Sequence, residues 1–352
     1  MDAQPTLPIF FIIGRPRSGT TLLRMLFEAH PQVIIPPESP FIVFLYKKYG
    51  RVNHWDENTI TAFCDDVMAQ RYFSKWLIER EILLKWLLQE KGIHTYQHMV
   101  KKVCLAYQSV YPKSDVVLIG DKNPAYALYI NRVHQIFPEA KIIYITRDYR
   151  DNYLSLTRVN FEVPIVPLVV YRWKFALKLA LKLKKKNPEC LYMLRYEDLA
   201  KNPEPQLRAM CNFLNLPFDA SVLSFYEKKA VVEQAYGDSE EIKTIHRSLL
   251  KPISTDRLNR WKEEMTAKQI KLADLVAGKM ADKVGYQREY PHFNLWLYVK
   301  LSPLLLYANL MYRALLLGSR LPWRWQQPLN RFLGIFLKTY WKFNQRKVQA
   351  LK

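Results

Sequence analysis

The chain has 352 residues, 49% of them hydrophobic and only 10 of them glycine, which excludes a disordered, collagenous or repetitive chain and allows one large or two modest globular domains. Its 53 lysines and arginines against 32 aspartates and glutamates leave a net +21, so its partner is anionic: a phosphorylated nucleotide, an acidic acceptor, a nucleic acid or a membrane surface. Four scattered cysteines (Cys64, Cys104, Cys190 and Cys211) form no CxxC pair, which argues against a disulfide framework and for isolated thiols in a reducing cytosol.

In chain order, residues 1–5 lack a basic n-region, and the apolar run from Leu7 to Ile13 ends in a loop, so neither a signal peptide nor an N-terminal anchor is expected. That loop is Gly14-Arg15-Pro16-Arg17-Ser18-Gly19, followed by Thr20 and Thr21 and by a helical pattern at Leu22, Leu23, Leu26 and Phe27. A buried strand turning into a helix aims backbone N–H groups and the positive end of a helix dipole at one spot, which suits a phosphate. The glycine spacing is that of a nucleoside-triphosphatase P-loop, but Thr20 stands where such a loop carries its lysine, and the charge sits inside the loop on Arg15 and Arg17. The pattern therefore predicts a phosphate cradle that works without a metal and disfavours ATP hydrolysis. A P-loop nucleotide kinase is the rival reading.

Residues 33–35 read as a short strand that ends at Pro36-Pro37 and delivers Glu38 in a rigid turn ahead of a helix over residues 41–49. Glu38 is a candidate general base; its other reading is a cap for that helix. Residues 58–108 form several helices with core-facing aromatic and leucine stripes, and His94 and His98 stand four apart. No third ligand accompanies them at a recognisable spacing, so no metal is expected. An apolar strand at residues 116–119 leads to Lys122, which is placed to offset negative charge on a leaving oxygen, and a strand at residues 141–146 opens onto Arg147. Ser155, eight residues on, sits two turns into the following helix, so the pair is suited to a second phosphate. Residues 169–186 predict a basic amphipathic helix, residues 190–194 a further strand ahead of Tyr196, residues 237–262 a polar segment, and residues 268–283 a helix.

The loop Gly14-Arg15-Pro16-Arg17-Ser18-Gly19-Thr20-Thr21-Leu22 resembles the 5′-phosphosulfate loop of sulfotransferases that use 3′-phosphoadenosine 5′-phosphosulfate (PAPS), nearest to the tyrosylprotein and bacterial branch. Arg147-Asp148-Tyr149-Arg150-Asp151 with Ser155 resembles that family's 3′-phosphate element, and Tyr196-Glu197-Asp198-Leu199 recurs in it. The resemblance implies the sulfotransferase fold, a P-loop-like parallel α/β sheet flanked by helices. It assigns cofactor binding to Arg15, Arg17, Ser18, Gly19, Thr20, Thr21, Arg147, Ser155, Tyr196 (toward the adenine), Ser248 and Arg260. It makes Glu38, Arg17 and Lys122 catalytic, Glu38 as the base that takes the acceptor proton. Arg158 stands one position short of the family's second arginine, and the family's serine before Lys-Pro is displaced, with Ser248 the nearest candidate. The motif order covers roughly the first 287 residues, so residues 1–289 are assigned to the sulfotransferase domain. Eukaryotic tyrosylprotein sulfotransferases are Golgi enzymes with an N-terminal anchor, from which this sequence departs.

Residues 290–352 contain no aspartate or glutamate but ten lysines and arginines, with Trp296, Trp323, Trp325 and Trp341 among leucines. Residues 295–317 have the length of a membrane span, but Lys300, Pro303 and Arg313 interrupt them. A basic, aromatic, helical appendage is drawn to the anionic membrane interface; its other uses are packing on the core or on a second subunit as a homodimer. No nucleic-acid-binding module is visible. The sequence thus predicts a cytoplasmic, peripherally membrane-associated sulfotransferase acting on a hydroxyl of a lipid, glycolipid or other hydrophobic alcohol. A protein-tyrosine sulfotransferase and a non-catalytic membrane scaffold are the alternatives.

Overall fold

A computed structural model describes residues 7–159, 162–227 and 252–321. The chain divides into two compact units, the first made of Met1–Arg147 with Leu179–Leu258, the second of Asp148–Lys178 with Asn259–Lys352.

The first unit is built on a five-stranded sheet. Its strands are β1 (Ile9–Gly14), β2 (Val33–Ile34), β5 (Leu118–Lys122), β6 (Lys141–Thr146) and β7 (Leu191–Arg195), in the spatial order β2-β5-β1-β6-β7. Every pairing is parallel, with Ile12 opposite Lys122 and Gly14 opposite Ile145. All six residues of β1 are buried, as expected of a central strand covered on both faces. Two further strands, β3 (His54–Trp55) and β4 (Gly92–Ile93), form a small antiparallel ribbon. The helices of this unit are α1 (Thr20–Glu28), α2 (Phe41–Tyr49), α3 (Glu57–Met68), α4 (Arg80–Leu88), α5 (Tyr96–Leu105), α6 (Ile130–Ile136), α9 (Tyr196–Lys201) and α10 (Pro203–Leu214). Phe10, Ile12, Leu23, Leu26, Phe27, Ile143, Ile145 and Leu199 pack into one core between sheet and helices.

The second unit holds α7 (Tyr149–Thr157), the first part of α8 (Val166–Lys186), α11 (Trp261–Glu264), α12 (Ala267–Ala277), α13 (Lys279–Lys283) and α14 (Leu295–Gly318). Its interior is a buried polar cluster: Tyr149 donates to Asp274 at 2.5 Å, and Arg150 bonds Asp148 at 2.7 Å while its guanidinium lies 3.6 Å from the centre of the Trp261 ring. The bonds these groups make to one another offset part of the cost of burying them. The helix expected over residues 268–283 is broken at Gly278, which takes φ 55° between α12 and α13.

Most expected elements stand close to where the sequence puts them. The strand expected at residues 116–119 is displaced to Leu118–Lys122, so Lys122 is its last residue and not part of the following loop. The polar segment from residue 237, with Ser248, lies largely outside the described residues, as does the chain beyond residue 321.

Candidate active site

The loop between β1 and α1 owes its path to two glycines. A β-carbon on Gly14 would stand 2.3 Å from the Ile145 carbonyl oxygen on β6, so only glycine lets these strands pair at that point. Gly19 takes φ 94° at the start of α1, and a β-carbon there would meet the Tyr196 ring at 2.6 Å. Between them the Ser18 amide donates to the Arg15 carbonyl at 3.2 Å, and Arg17 adopts φ 67°, a left-handed conformation uncommon outside glycine. No side chain caps α1, whose first turn opens toward this loop. Arg15, Ser18 and Thr20 are buried, and Thr21 is half-buried.

Two adjacent strands, β6 and β7, bring the next groups to the same end of the sheet. Arg147 follows β6 directly. Its guanidinium donates to the Arg17 carbonyl at 3.4 Å and to the Arg257 carbonyl at 2.6 Å, and lies 4.8 Å from the centre of the Tyr196 ring at the end of β7. The arginine face and the aromatic ring thus meet beside Gly19.

On the other side of β1, Lys122 ends β5 with its side chain only 5% exposed and its Nζ 2.8 Å from Oε2 of Glu38. The cap of α2 is Pro40, and no side chain closes that helix, so Glu38 does not serve as its cap. The turn carrying Glu38 is held from α1. Buried Arg24 donates to the Ile35 carbonyl at 2.9 Å and to the Pro36 carbonyl at 3.2 Å, while buried Glu28 accepts from the Ile35 amide and from Ser109 Oγ. Asn123 Nδ2 donates to the Ser39 carbonyl at 3.2 Å and to both oxygens of Asp121 at 2.8 Å. Burial pushes the Asp121 carboxyl up to about 7 against the opposing pull of Asn123 and Lys122. Ser39 Oγ and Asn123 Oδ1 are buried with no hydrogen-bond partner among the described residues.

The first unit therefore gathers Arg15, Arg17, Ser18, Gly19, Thr20, Thr21, Glu38, Lys122, Arg147 and Tyr196 at the carboxyl ends of β1, β5, β6 and β7, where open parallel sheets bind ligands. Ser155 is half-buried on α7 in the second unit, and Arg260 in that unit pairs with Glu264 at 2.7 Å, as does Arg158. Sequence reading missed Arg24, Glu28, Asp121 and Asn123. The available signal was a charged pair, Arg24 and Glu28, four residues apart on an otherwise apolar helix.

A sulfotransferase-family model matches residues 8–220. The chain belongs to the sulfotransferase family. Among its relatives, protein-tyrosine sulfotransferase 1 of Danio rerio is 25% identical over 312 residues, spanning 85% of this chain and 77% of that protein. Nodulation protein NoeE of Sinorhizobium fredii is 25% identical over 323 residues, spanning 83% and 69%. The solved sulfotransferase domain of the Synechococcus PCC 7002 olefin synthase shares the fold, with a TM-score of 0.52 and 22% identity over 79% of this chain and 97% of that one. As a sulfotransferase, the protein is an enzyme of sulfuryl transfer, and a kinase or a scaffold without chemistry is set aside.

Proposed function

We propose that this sulfotransferase moves the sulfuryl group of PAPS to the hydroxyl of a lipid, glycolipid or other hydrophobic alcohol at an anionic membrane surface. The residues fit the nucleotide: two glycines keep the loop free of β-carbons that would collide with Ile145 and Tyr196, and cationic side chains surround it. Arg15, Arg17, Ser18, Gly19, Thr20 and Thr21 would hold the 5′-phosphosulfate, Arg147 the 3′-phosphate and Tyr196 the adenine. Ser155, Ser248 and Arg260 keep the cofactor-binding roles that the resemblance gives them. PAPS supplies the activated sulfuryl group; no metal is required for the chemistry assigned to these side chains.

Glu38 Oε2 takes the proton of the acceptor hydroxyl as its oxygen forms the new bond to sulfur. Lys122 meets the charge left on the 5′-phosphate oxygen when the old sulfur–oxygen bond breaks. At rest the two are 2.8 Å apart, so each supplies the other's counter-charge in a site where Lys122 is almost out of water. The work that Lys122 does is electrostatic and preorganised, and it is strongest where charge develops.

The observation that carries the choice of acceptor is α14. Of its 24 residues only Leu305, Ala308 and Tyr312 are buried, and Tyr312 packs against Tyr171 and Phe175 of α8 within the second unit. Leu295, Trp296, Leu306, Leu310 and Leu317 are exposed, Trp296 to 85%. The helix is long and apolar enough to cross a membrane, yet Lys300, Pro303 and Arg313 favour an interfacial position. Residues 290–352 then act as a membrane-docking tail behind a catalytic domain of residues 1–289, on the cytoplasmic side. A protein tyrosine is the second reading, supported by the names of the tyrosylprotein relatives.

The deciding experiment incubates the full chain with labelled PAPS and either anionic vesicles carrying hydroxylated lipids or a tyrosine-containing acidic peptide. Vesicle-dependent labelling of lipid supports the proposal. Labelling of the peptide alone, unaffected by vesicles, overturns it in favour of the second reading.

A further inference from the structure

Apart from the residues of the transfer site, three side chains whose sequence spacing suggested no complete site meet at one point. Glu90 follows α4, His94 follows the ribbon strand β4, and His98 lies in the first turn of α5. Glu90 Oε2 is 2.6 Å from His98 Nε2 and 4.0 Å from His94 Nε2. The imidazoles stack with centroids 4.3 Å apart and planes 10° from parallel, and the ligand atoms of all three residues lie within 4.8 Å of one another. We propose that Glu90, His94 and His98 bind a divalent transition-metal ion, zinc by the donor set. This assigns the chain a metal site where the two histidines alone implied none.

Two imidazoles and one carboxylate are a common zinc donor set, with metal–ligand distances of about 2.0–2.2 Å and a fourth position left for water. Tetrahedral geometry at those distances puts ligand atoms about 3.4 Å apart, between the 2.6 and 4.0 Å now seen. The ligand atoms already lie within 4.8 Å of one another, and binding would turn the two stacked rings out of parallel so that the nitrogen lone pairs, which lie in the ring planes, converge on the ion.

Each ligand is anchored through its backbone or a neighbour. The His94 amide donates to the Asn53 carbonyl at 3.1 Å and its carbonyl accepts from Trp55 Nε1 at 2.9 Å. The His98 amide is capped by Thr95 Oγ1 at 3.2 Å. Lys102 engages Glu90 through the other carboxylate oxygen, Oε1, at 2.6 Å, while its ammonium lies 4.8 Å from the centre of the Trp86 ring. That contact leaves Oε2 turned to both imidazoles and fixes the carboxylate from outside, as groups around metal ligands commonly do. Lys102 also sets a positive charge near the ion, so the expected affinity is that of a structural clip and not of a tight thiolate site. The ion would join the end of α4, the ribbon and the start of α5, in a region whose cysteines, Cys64 and Cys104, form no disulfide.

The test strips the untagged full chain with a chelator and titrates it with Zn²⁺ against a chromophoric competitor, then repeats the loading with Co²⁺. One ion per chain is expected, with a thermal midpoint that rises on loading and visible Co²⁺ bands of a four- or five-coordinate N/O site. His94→Ala and His98→Ala should each weaken binding at least tenfold with unchanged far-ultraviolet circular dichroism. Absence of stoichiometric binding overturns the proposal. So does binding that survives in the double histidine variant, or a Co²⁺ spectrum with thiolate charge-transfer bands, since either would mean an adventitious ion elsewhere.

Discussion

Replacing Lys122 by methionine tests the electrostatic core of the proposed chemistry, because it deletes the ammonium while keeping most of the alkyl chain. The side chain is 5% exposed and ends 2.8 Å from Glu38, which is itself 29% exposed. Removing one preorganised group that meets developing charge costs about 10²–10³ in rate, or roughly 3–4 kcal/mol of barrier. Stability should suffer less. A fully buried pair broken from one side costs about 3–5 kcal/mol, but Glu38 can turn to water, which puts the loss near 1–2 kcal/mol. The assay is single-turnover conversion of PAPS to adenosine 3′,5′-bisphosphate, which needs no knowledge of the acceptor since water can serve, with thermal unfolding as control. The expected variant is folded, retains nucleotide binding and turns over about a hundredfold or more slowly. A rate within threefold of wild type would refute the reasoning. A variant that does not fold would make Lys122 a structural cation.

Three other outcomes follow from the same geometry. Gly19→Ala forces a β-carbon to 2.6 Å from the Tyr196 ring at φ 94°, so it should cost about 1–3 kcal/mol of stability and weaken adenosine bisphosphate binding in calorimetry. Asp121 titrates at about 7 in the folded chain against an ordinary 3.8. The folded state then holds a proton that the unfolded state has lost, so this group's contribution falls as pH rises from about 4 to about 7 and its penalty is complete above that. Asp121→Asn should therefore gain in melting temperature relative to wild type on going from pH 5 to pH 8; a constant difference would exclude this cause. Replacing Trp296 and Leu306 by serine should reduce sedimentation with anionic vesicles several-fold without changing PAPS hydrolysis in their absence, and raised salt should weaken the wild-type interaction.

What was legible in the sequence was legible for local reasons. An unbroken apolar run, two glycines and a helical apolar pattern specify the β1–loop–α1 junction through contacts between near neighbours, and an arginine directly after an apolar strand has one end of the sheet open to it. The pairing of Glu38 with Lys122 required knowing that β2 and β5 are neighbours, which no local pattern reveals. Arg24 and Glu28 carry no local sign of their role, because their partners, Ile35 and Pro36, lie beyond the helix in the following turn. Glu90, His94 and His98 are spaced four and four, as on a helix, yet Gly92–Ile93 is a strand, so the cluster arises from a chain reversal and not from a helical face. Gly278 ends a helix that propensity alone would continue, because its φ of 55° suits few other residues.

The central claim is a bisphosphorylated adenine nucleotide held without metal, with Arg147 on the 3′-phosphate. Calorimetry of adenosine 3′,5′-bisphosphate, ATP and 5′-AMP in chelator, on wild type and Arg147→Ala, tests it most directly. The account predicts tight binding of the bisphosphate alone, weakened at least tenfold by the substitution. Binding of ATP only with magnesium, or bisphosphate binding indifferent to Arg147, would contradict it.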